Sequence, residues 1–164
     1  MSSKDHLTLD VGVLSALLDG TRAEARAAGR AFAGGDGLLL EDSWTLDEKR
    51  EATRESLQKL VETGIARAPL PERLGGENQH DQHITMFEEI VTVSPSLQIK
   101  AGVQIGLFAG AIQHLGNEKQ HDAWLLDAIE GRLLGSFAMT EIGHGSDVAA
   151  VATTAEYDPE TQEF

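Results

Sequence analysis

The residues best placed to do chemistry lie in the stretch Phe137-Ala138-Met139-Thr140-Glu141-Ile142-Gly143-His144-Gly145-Ser146-Asp147. A short apolar run passes here into a loop carrying two glycines and two hydroxyl side chains. Glycines adopt positive φ freely and let neighbouring backbone N–H groups converge on a ligand. The hydroxyls of Thr140 and Ser146 can donate to an acceptor without adding charge. The same residue types also suit a plain turn, so the loop needs context before it means anything. Glu141 and His144 form a Glu-x-x-His pattern that recurs at Glu77/His80 and Glu118/His121. Pairs of this pattern on facing helices build ferritin-like di-iron centres. Only Glu118/His121 falls on an expected helix, near its first turn. Glu77 follows Gly76, and Glu141 lies inside the glycine loop, so the di-iron bundle is the lesser alternative and no metal is expected. His80 and His83 read as a surface pair. Neither a Gly-x-Ser-x-Gly elbow nor a phosphate-binding P-loop occurs.

Composition narrows the classes further. The chain has 164 residues, enough for one ordinary domain, and a formal net charge of −14. A surface this acidic repels nucleic acid and anionic lipid, whose binding rests on Lys and Arg meeting phosphates. A phosphate-bearing ligand would need backbone N–H groups, hydroxyls and a few local cations. Cysteine is absent, which removes disulfides, thiolate metal sites and a cysteine nucleophile and is compatible with a reducing, intracellular setting. No secretory signal is visible in Met1 to Asp10, and no apolar run is long enough to span a membrane. Aromatic residues make up only 5%, so the core must rest on Leu, Ile, Val and Ala, a balance that leans helical.

The elements that must position the loop can be followed along the chain. Asp10 can cap a helix carrying Val11, Leu14, Leu17 and Leu18, which Gly20 ends. Thr21 with Glu24, and Thr45 with Glu48, read as capping boxes opening two further helices. Gly34, Gly35, Asp36 and Gly37 make a break between them. The second helix runs to Gly64 with a stripe of Leu46, Leu57, Leu60 and Val61 and a Glu55/Lys59 pair on its wet face. Pro69, Pro71, Gly75 and Gly76 mark a loop. Ile84, Phe87, Ile90 and Val91 then stripe a helix that Pro95 terminates. Ser96 to Leu115 is the most buried-looking segment. Its Gly102, Gly106 and Gly110 recur every fourth residue, which we read as close approach of a neighbouring helix, with a bound cofactor as the alternative. Gly116 and Asn117 close it and open a helix to Ile129 with Trp124, Leu125 and Ala128 facing inward. Beyond Gly131 the period changes. Leu133 to Thr140 and Thr153 to Tyr157 read as strands, with a turn at Asp158 to Thr161 before another strand at Glu163. The predicted fold is mainly α: an all-α helical bundle domain over residues 1–130, then the start of an antiparallel β domain over 131–164.

In this context the loop gains meaning. Thr140-Glu141-x-Gly143-x-Gly145-Ser146-Asp147 resembles the segment that enters the flavin site in the acyl-CoA dehydrogenase and acyl-CoA oxidase families. Pro71-Glu72-Arg73-Leu74-Gly75-Gly76 resembles the family's Pro…Gly-Gly loop, and Ser96 to Gln104 with His114-Leu115-Gly116 its buried helix and helix end. The resemblance covers most of residues 40–164, with the motifs in family order. The Thr153 to Phe164 stretch and residues 141–145 look like the oxidase branch, whereas Gly145-Ser146-Asp147 matches the dehydrogenase form. The electron acceptor therefore stays open.

The resemblance implies an FAD-dependent parent enzyme that dehydrogenates acyl-CoA thioesters between the α and β carbons. It implies that Phe137, Ala138, Met139, Thr140, Gly145 and Ser146 contact FAD, with Thr140 at the pyrimidine edge of the flavin. Ser146 would reach toward the acyl-CoA substrate or the FAD pyrophosphate. The catalytic carboxylate is expected in a C-terminal helical domain outside these residues, so no catalytic residue is assigned here and this stretch alone should not catalyse. A homodimer or homotetramer is implied for the full enzyme, in the cytoplasm or, in a eukaryote, the peroxisome. The rival class is a non-catalytic helical interaction module, which would have no reason to bind flavin.

Overall fold

The computed structural model describes residues 9–35, 38 and 40–164, with the side chains of 80–83 outside the description. Residues 36 and 37 of the predicted glycine break and the His80/His83 pair therefore lie outside the described residues. Helices dominate, as predicted. Helix α1 (Val11–Asp19) is capped by Asp10, whose carboxylate accepts the Val13 N–H at 3.1 Å. Helix α2 (Ala23–Ala33) does not start on the predicted Thr21/Glu24 box. Gly20, at φ 59°, turns the chain into a 3₁₀ turn (Gly20–Arg22) that takes up Thr21, and the N-cap falls on Arg22, whose side chain does not cap the helix.

Helix α3 (Leu46–Glu62) does carry its capping box: Glu48 accepts the Thr45 N–H at 2.7 Å and Thr45 accepts the Glu48 N–H at 3.3 Å. Leu57, Leu60 and Val61 are buried, but Leu46 is 63% exposed and lies off the core stripe. The ion pairs on this helix are Arg50–Asp47 and Arg54–Glu51 at i,i+3, not the predicted Glu55–Lys59. Helix α4 (His80–Val91) buries Met86 and Ile90 while Ile84 and Val91 face out, so its inward arc is centred one step away from the predicted stripe. Pro95 does not terminate α4, which ends at Val91 with Thr92 as its C-cap. It occupies the first turn of helix α5 (Pro95–Ala101), where its missing N–H is harmless, and Ser94 caps the Leu97 N–H at 3.4 Å.

Helix α5 continues through a π-helical run (Gly102–Ala109) into helix α6 (Gly110–Leu115). Leu97, Ala101, Ile105 and Ala109 point into the core formed with Leu57, Leu60, Leu70, Ile90, Leu125 and Ile129. Asn117 and Gln120 form a reciprocal cap that opens helix α7 (Glu118–Gln120), which passes through π-helical His121–Leu125 into helix α8 (Leu126–Ile129). Leu125 and Ala128 are buried as predicted, but Trp124 is 48% exposed.

The glycine stripe needs correcting. A Cβ at Gly102 or Gly106 would meet nothing within 4 Å, so no neighbouring helix approaches there. Close approach belongs to Gly29 instead, where a Cβ would lie 2.9 Å from the Glu89 Cβ and 3.3 Å from the Met86 backbone. Arg26 then ties α2 to α4 through Glu88 at 2.7 Å and Glu89 at 3.0 Å.

After Gly131 the predicted strands do not form ladders. Among the described residues the β contacts are two isolated antiparallel bridges, Glu141 to Gly145 and Asp158 to Glu163. The predicted turn at 158–161 is present, closed by the Asp158 N–H to Glu163 carbonyl bond at 2.8 Å. An extended segment becomes a strand only when another edge accepts its hydrogen bonds. Here residues 133–140 and 151–157 run without such an edge.

Candidate functional site

The path into the loop is set by a residue the sequence reading passed over. Gln104 is fully buried on the π-helical run. Its amide nitrogen donates to the carbonyls of Ala128 and Leu133, both at 2.8 Å, and its amide oxygen accepts the Gly135 N–H at 3.1 Å. One side chain thus fastens the end of α8 and the segment that leaves it to the central helix. Gly135 is required at this crossing, because a Cβ there would collide with the Phe108 ring. Sequence reasoning missed Gln104 because a lone amide in an apolar run carries no periodic signal. Its one visible trait is that it is a polar residue on the buried face.

Phe137, Ala138, Met139 and Thr140 follow as an exposed segment outside any helix or strand. The Thr140 hydroxyl has no hydrogen-bond partner among the described residues. The chain then folds on Glu141. Its carboxylate accepts the Ala152 and Thr153 N–H groups, each at 2.8 Å, the Thr153 hydroxyl, and a bond from His144 Nε2 at 2.9 Å. These donors favour the charged form and hold the Glu141 carboxyl down from 4.5 to about 2, the Thr153 hydroxyl contributing most. Gly143, at φ 114°, and Gly145, at φ 54°, make the turns inside this closed loop. A Cβ at either would meet nothing within 4 Å, so glycine serves backbone conformation there and the surroundings are open. Ser146 is exposed on the rim, next to Gly145.

The structure thus brings Gly145 and Ser146 into one closed loop, with Thr140 immediately before it. His144 pairs with Glu141, and Glu141 alone takes the 152–153 backbone N–H groups. The sequence showed their spacing but not that partner. The other described Glu-x-x-His histidine is likewise engaged: His121 lies 3.1 Å from the Ile112 carbonyl through Nε2 and 3.2 Å from Arg73 through Nδ1. Arg73 also pairs with Asp122, which binds the Pro71–Gly75 loop to the start of α7's extension. No helix among the described residues is long and apolar enough to cross a membrane.

Residues 21–132 match the family described as acyl-CoA dehydrogenase, N-terminal domain. Peroxisomal acyl-coenzyme A oxidase 3 of Arabidopsis thaliana is 33% identical over 120 residues, covering 73% of this chain and 18% of that protein. Acyl-coenzyme A oxidase 2 of Candida tropicalis is 44% identical over 78 residues, 46% of this chain and 11% of that protein. The chain therefore spans under a fifth of the length of these relatives. Among solved structures, butyryl-CoA dehydrogenase from Megasphaera elsdenii superposes with a TM-score of 0.62 at 23% identity, over 77% of this chain and 34% of that one. A chain from a structure of the electron transferring flavoprotein of Acidaminococcus fermentans superposes equally well, at 0.62, with 26% identity over 78% of this chain and 33% of that one.

Proposed function

Because this chain belongs to the acyl-CoA dehydrogenase N-terminal domain family, we propose that the whole protein is an FAD-dependent oxidoreductase acting on the Cα–Cβ bond of acyl-CoA thioesters. The observation that carries the reading is the loop itself. Thr140 offers an unpaired, exposed hydroxyl, and the Glu141 clamp holds Gly145 and Ser146 beside it in open space. Uncharged donors and free backbone are the means by which so acidic a chain can accept a phosphate-bearing cofactor. FAD, when bound, supplies the acceptor for the hydride leaving Cβ.

In this reading the Thr140 hydroxyl donates to the pyrimidine edge of the flavin, where negative charge develops during reduction. The backbone at Phe137, Ala138 and Met139 lies along the ring system, Gly145 allows close approach, and Ser146 reaches the pyrophosphate or the acyl-CoA. Glu141 is not the base that takes the α-proton. A general base works best with a pKa near the working pH, whereas Glu141 is held at about 2 with both oxygens already accepting hydrogen bonds. That base is assigned to a carboxylate outside these residues, so this stretch alone is inactive. Residues 1–130 form the helical domain and 131–164 open the β domain.

The named relatives at 33% and 44% identity are oxidases, which favours O₂ as the acceptor of the flavin's electrons. The Arabidopsis relative is named as peroxisomal, which supports a peroxisomal setting in a eukaryotic host, and the family resemblance implies a homodimeric or homotetrameric assembly. The test is the full-length protein with octanoyl-CoA. A visible flavin spectrum that bleaches without air, and hydrogen peroxide released in its presence, are expected. A complete protein that stays colourless and cannot be reconstituted with FAD would refute the reading.

A further inference from the structure

A second concavity lies away from the loop, between the first half of α3 and the start of α5. It encloses about 460 Å³, within the range that holds small ligands. Leu46, Lys49, Arg50, Thr53 and Arg54 form one wall, at the i, i+3, i+4, i+7, i+8 spacing that normally faces a core. Ser96 and Lys100 form the other wall, and Leu40 lines the groove with them. This stripe of α3 therefore has the geometry of a packing face but is not filled by the fold, which explains why Leu46 stays exposed.

Its charge is opposite to that of the molecule. Four of the chain's 13 Lys and Arg residues line it, with no carboxylate among the lining residues, on a protein of net charge −14. Arg50 makes one exposed i,i+3 pair with Asp47 at 3.1 Å, which contributes little in water. Arg54 is held more firmly, its Nε donating to both Glu51 oxygens at 3.0 and 3.1 Å and its Nη2 to one of them, so it lines the groove as a partly neutralised cation. Lys49 donates to the neutral Asp42 carbonyl at 3.3 Å. Lys100 is half-buried and has no counter-ion among the described residues. Lysine and arginine stems add apolar surface to that of the two leucines while their heads stay cationic.

We propose that this groove binds a soluble organic monoanion with an apolar body, of the class of medium- to long-chain carboxylates. The carboxylate sits among Lys49, Arg50, Arg54 and Lys100, and the alkyl chain lies on Leu40, Leu46 and the lysine stems. An extended polyanion is disfavoured, because a chain longer than the groove runs directly over the acidic remainder of a surface of net charge −14. Inorganic phosphate alone would leave the apolar floor bare. None of the lining residues belongs to the 137–146 loop, so this site stands independently of the flavin assignment.

The test is calorimetric titration of this chain with monomeric laurate, with dodecyltrimethylammonium, inorganic phosphate and phosphatidylglycerol vesicles as comparisons. Saturable one-to-one binding of laurate is expected, weakened by added salt. Lys100→Glu and, on the opposite wall, Lys49→Glu should each lower the affinity by about tenfold or more. Lys119→Glu, outside the groove, should leave it unchanged, with circular dichroism confirming the helices in every variant. The proposal is overturned if dodecyltrimethylammonium or phosphate binds as tightly as laurate. It also falls if folded Lys100→Glu and Lys49→Glu proteins bind laurate like the parent, or if vesicles bind and monomeric laurate does not.

Discussion

The carboxylate of Glu141 accepts the backbone N–H of Ala152 at 2.8 Å, across a separation of 11 residues. With the Thr153 bonds and His144, this makes residues 141–153 one closed loop, hung on a single charge. The tie fixes where Gly145 and Ser146 stand relative to Thr140 without a β ladder to hold them.

That dependence gives the loop an acid limit. The folded pKa of Glu141 lies below its ordinary value of 4.5, so its contribution is complete above that value and is lost as pH falls through about 2. The Ala152 and Thr153 amide signals should therefore hold steady through the ordinary carboxylate range and move only near the lower value. An NMR titration in which they shift at the ordinary glutamate pKa would show that the clamp is not formed in solution. Glu141→Gln should expose both amides to exchange at neutral pH and leave the helical signal intact.

Gln104 should prove expensive to replace by an apolar residue of similar size. Gln104→Leu leaves the Gly135 N–H and the Leu133 carbonyl without their partner, while the Ala128 carbonyl keeps the Gly131 N–H at 3.3 Å; each buried group left unsatisfied costs about 1–3 kcal/mol. Urea denaturation should report a lower midpoint, and amide exchange should quicken at Gly135. Equal stability would mean that water or another group takes over the bonds.

The glycines separate by what faces them. Gly29→Ala places a methyl group against the Glu89 stem and the α4 backbone, and overpacking of this kind costs about 1–3 kcal/mol. Gly106→Ala enters open space and removes the helix penalty of glycine, so it should raise stability by about 0.5–1 kcal/mol. Thermal melts of the two variants moving in the same direction would contradict this assignment.

Amide exchange should grade the chain in the same way. Amides of Leu97, Ala101, Ile105 and Ala109 sit in the core and should exchange slowest. Residues 151–164 are exposed throughout and should exchange fast. Protection of that segment equal to the core would show partners that the fold described here does not supply.

The sequence by itself determined the helices, the Asp10, Thr45 and Asn117 caps, the turn at 158–161, the family and the glycine-bearing loop. Each of these rests on neighbours within about one helical turn or on a contiguous motif, so local chemistry is enough. Tertiary structure alone decided the rest. Ile84, Trp124 and Leu46 are apolar residues at helical spacing, and spacing cannot say which side of a helix meets another element. Gly102 and Gly29 look alike in one dimension, and only the position of α4 makes the second a contact. The strand-like runs at 133–140 and 153–157 have β-prone residues, yet a strand exists only when another edge pairs with it. Gln104 and Glu141 gain their roles from groups 11 to 31 residues away, brought within hydrogen-bond reach by the packing of the helices and the closure of the loop.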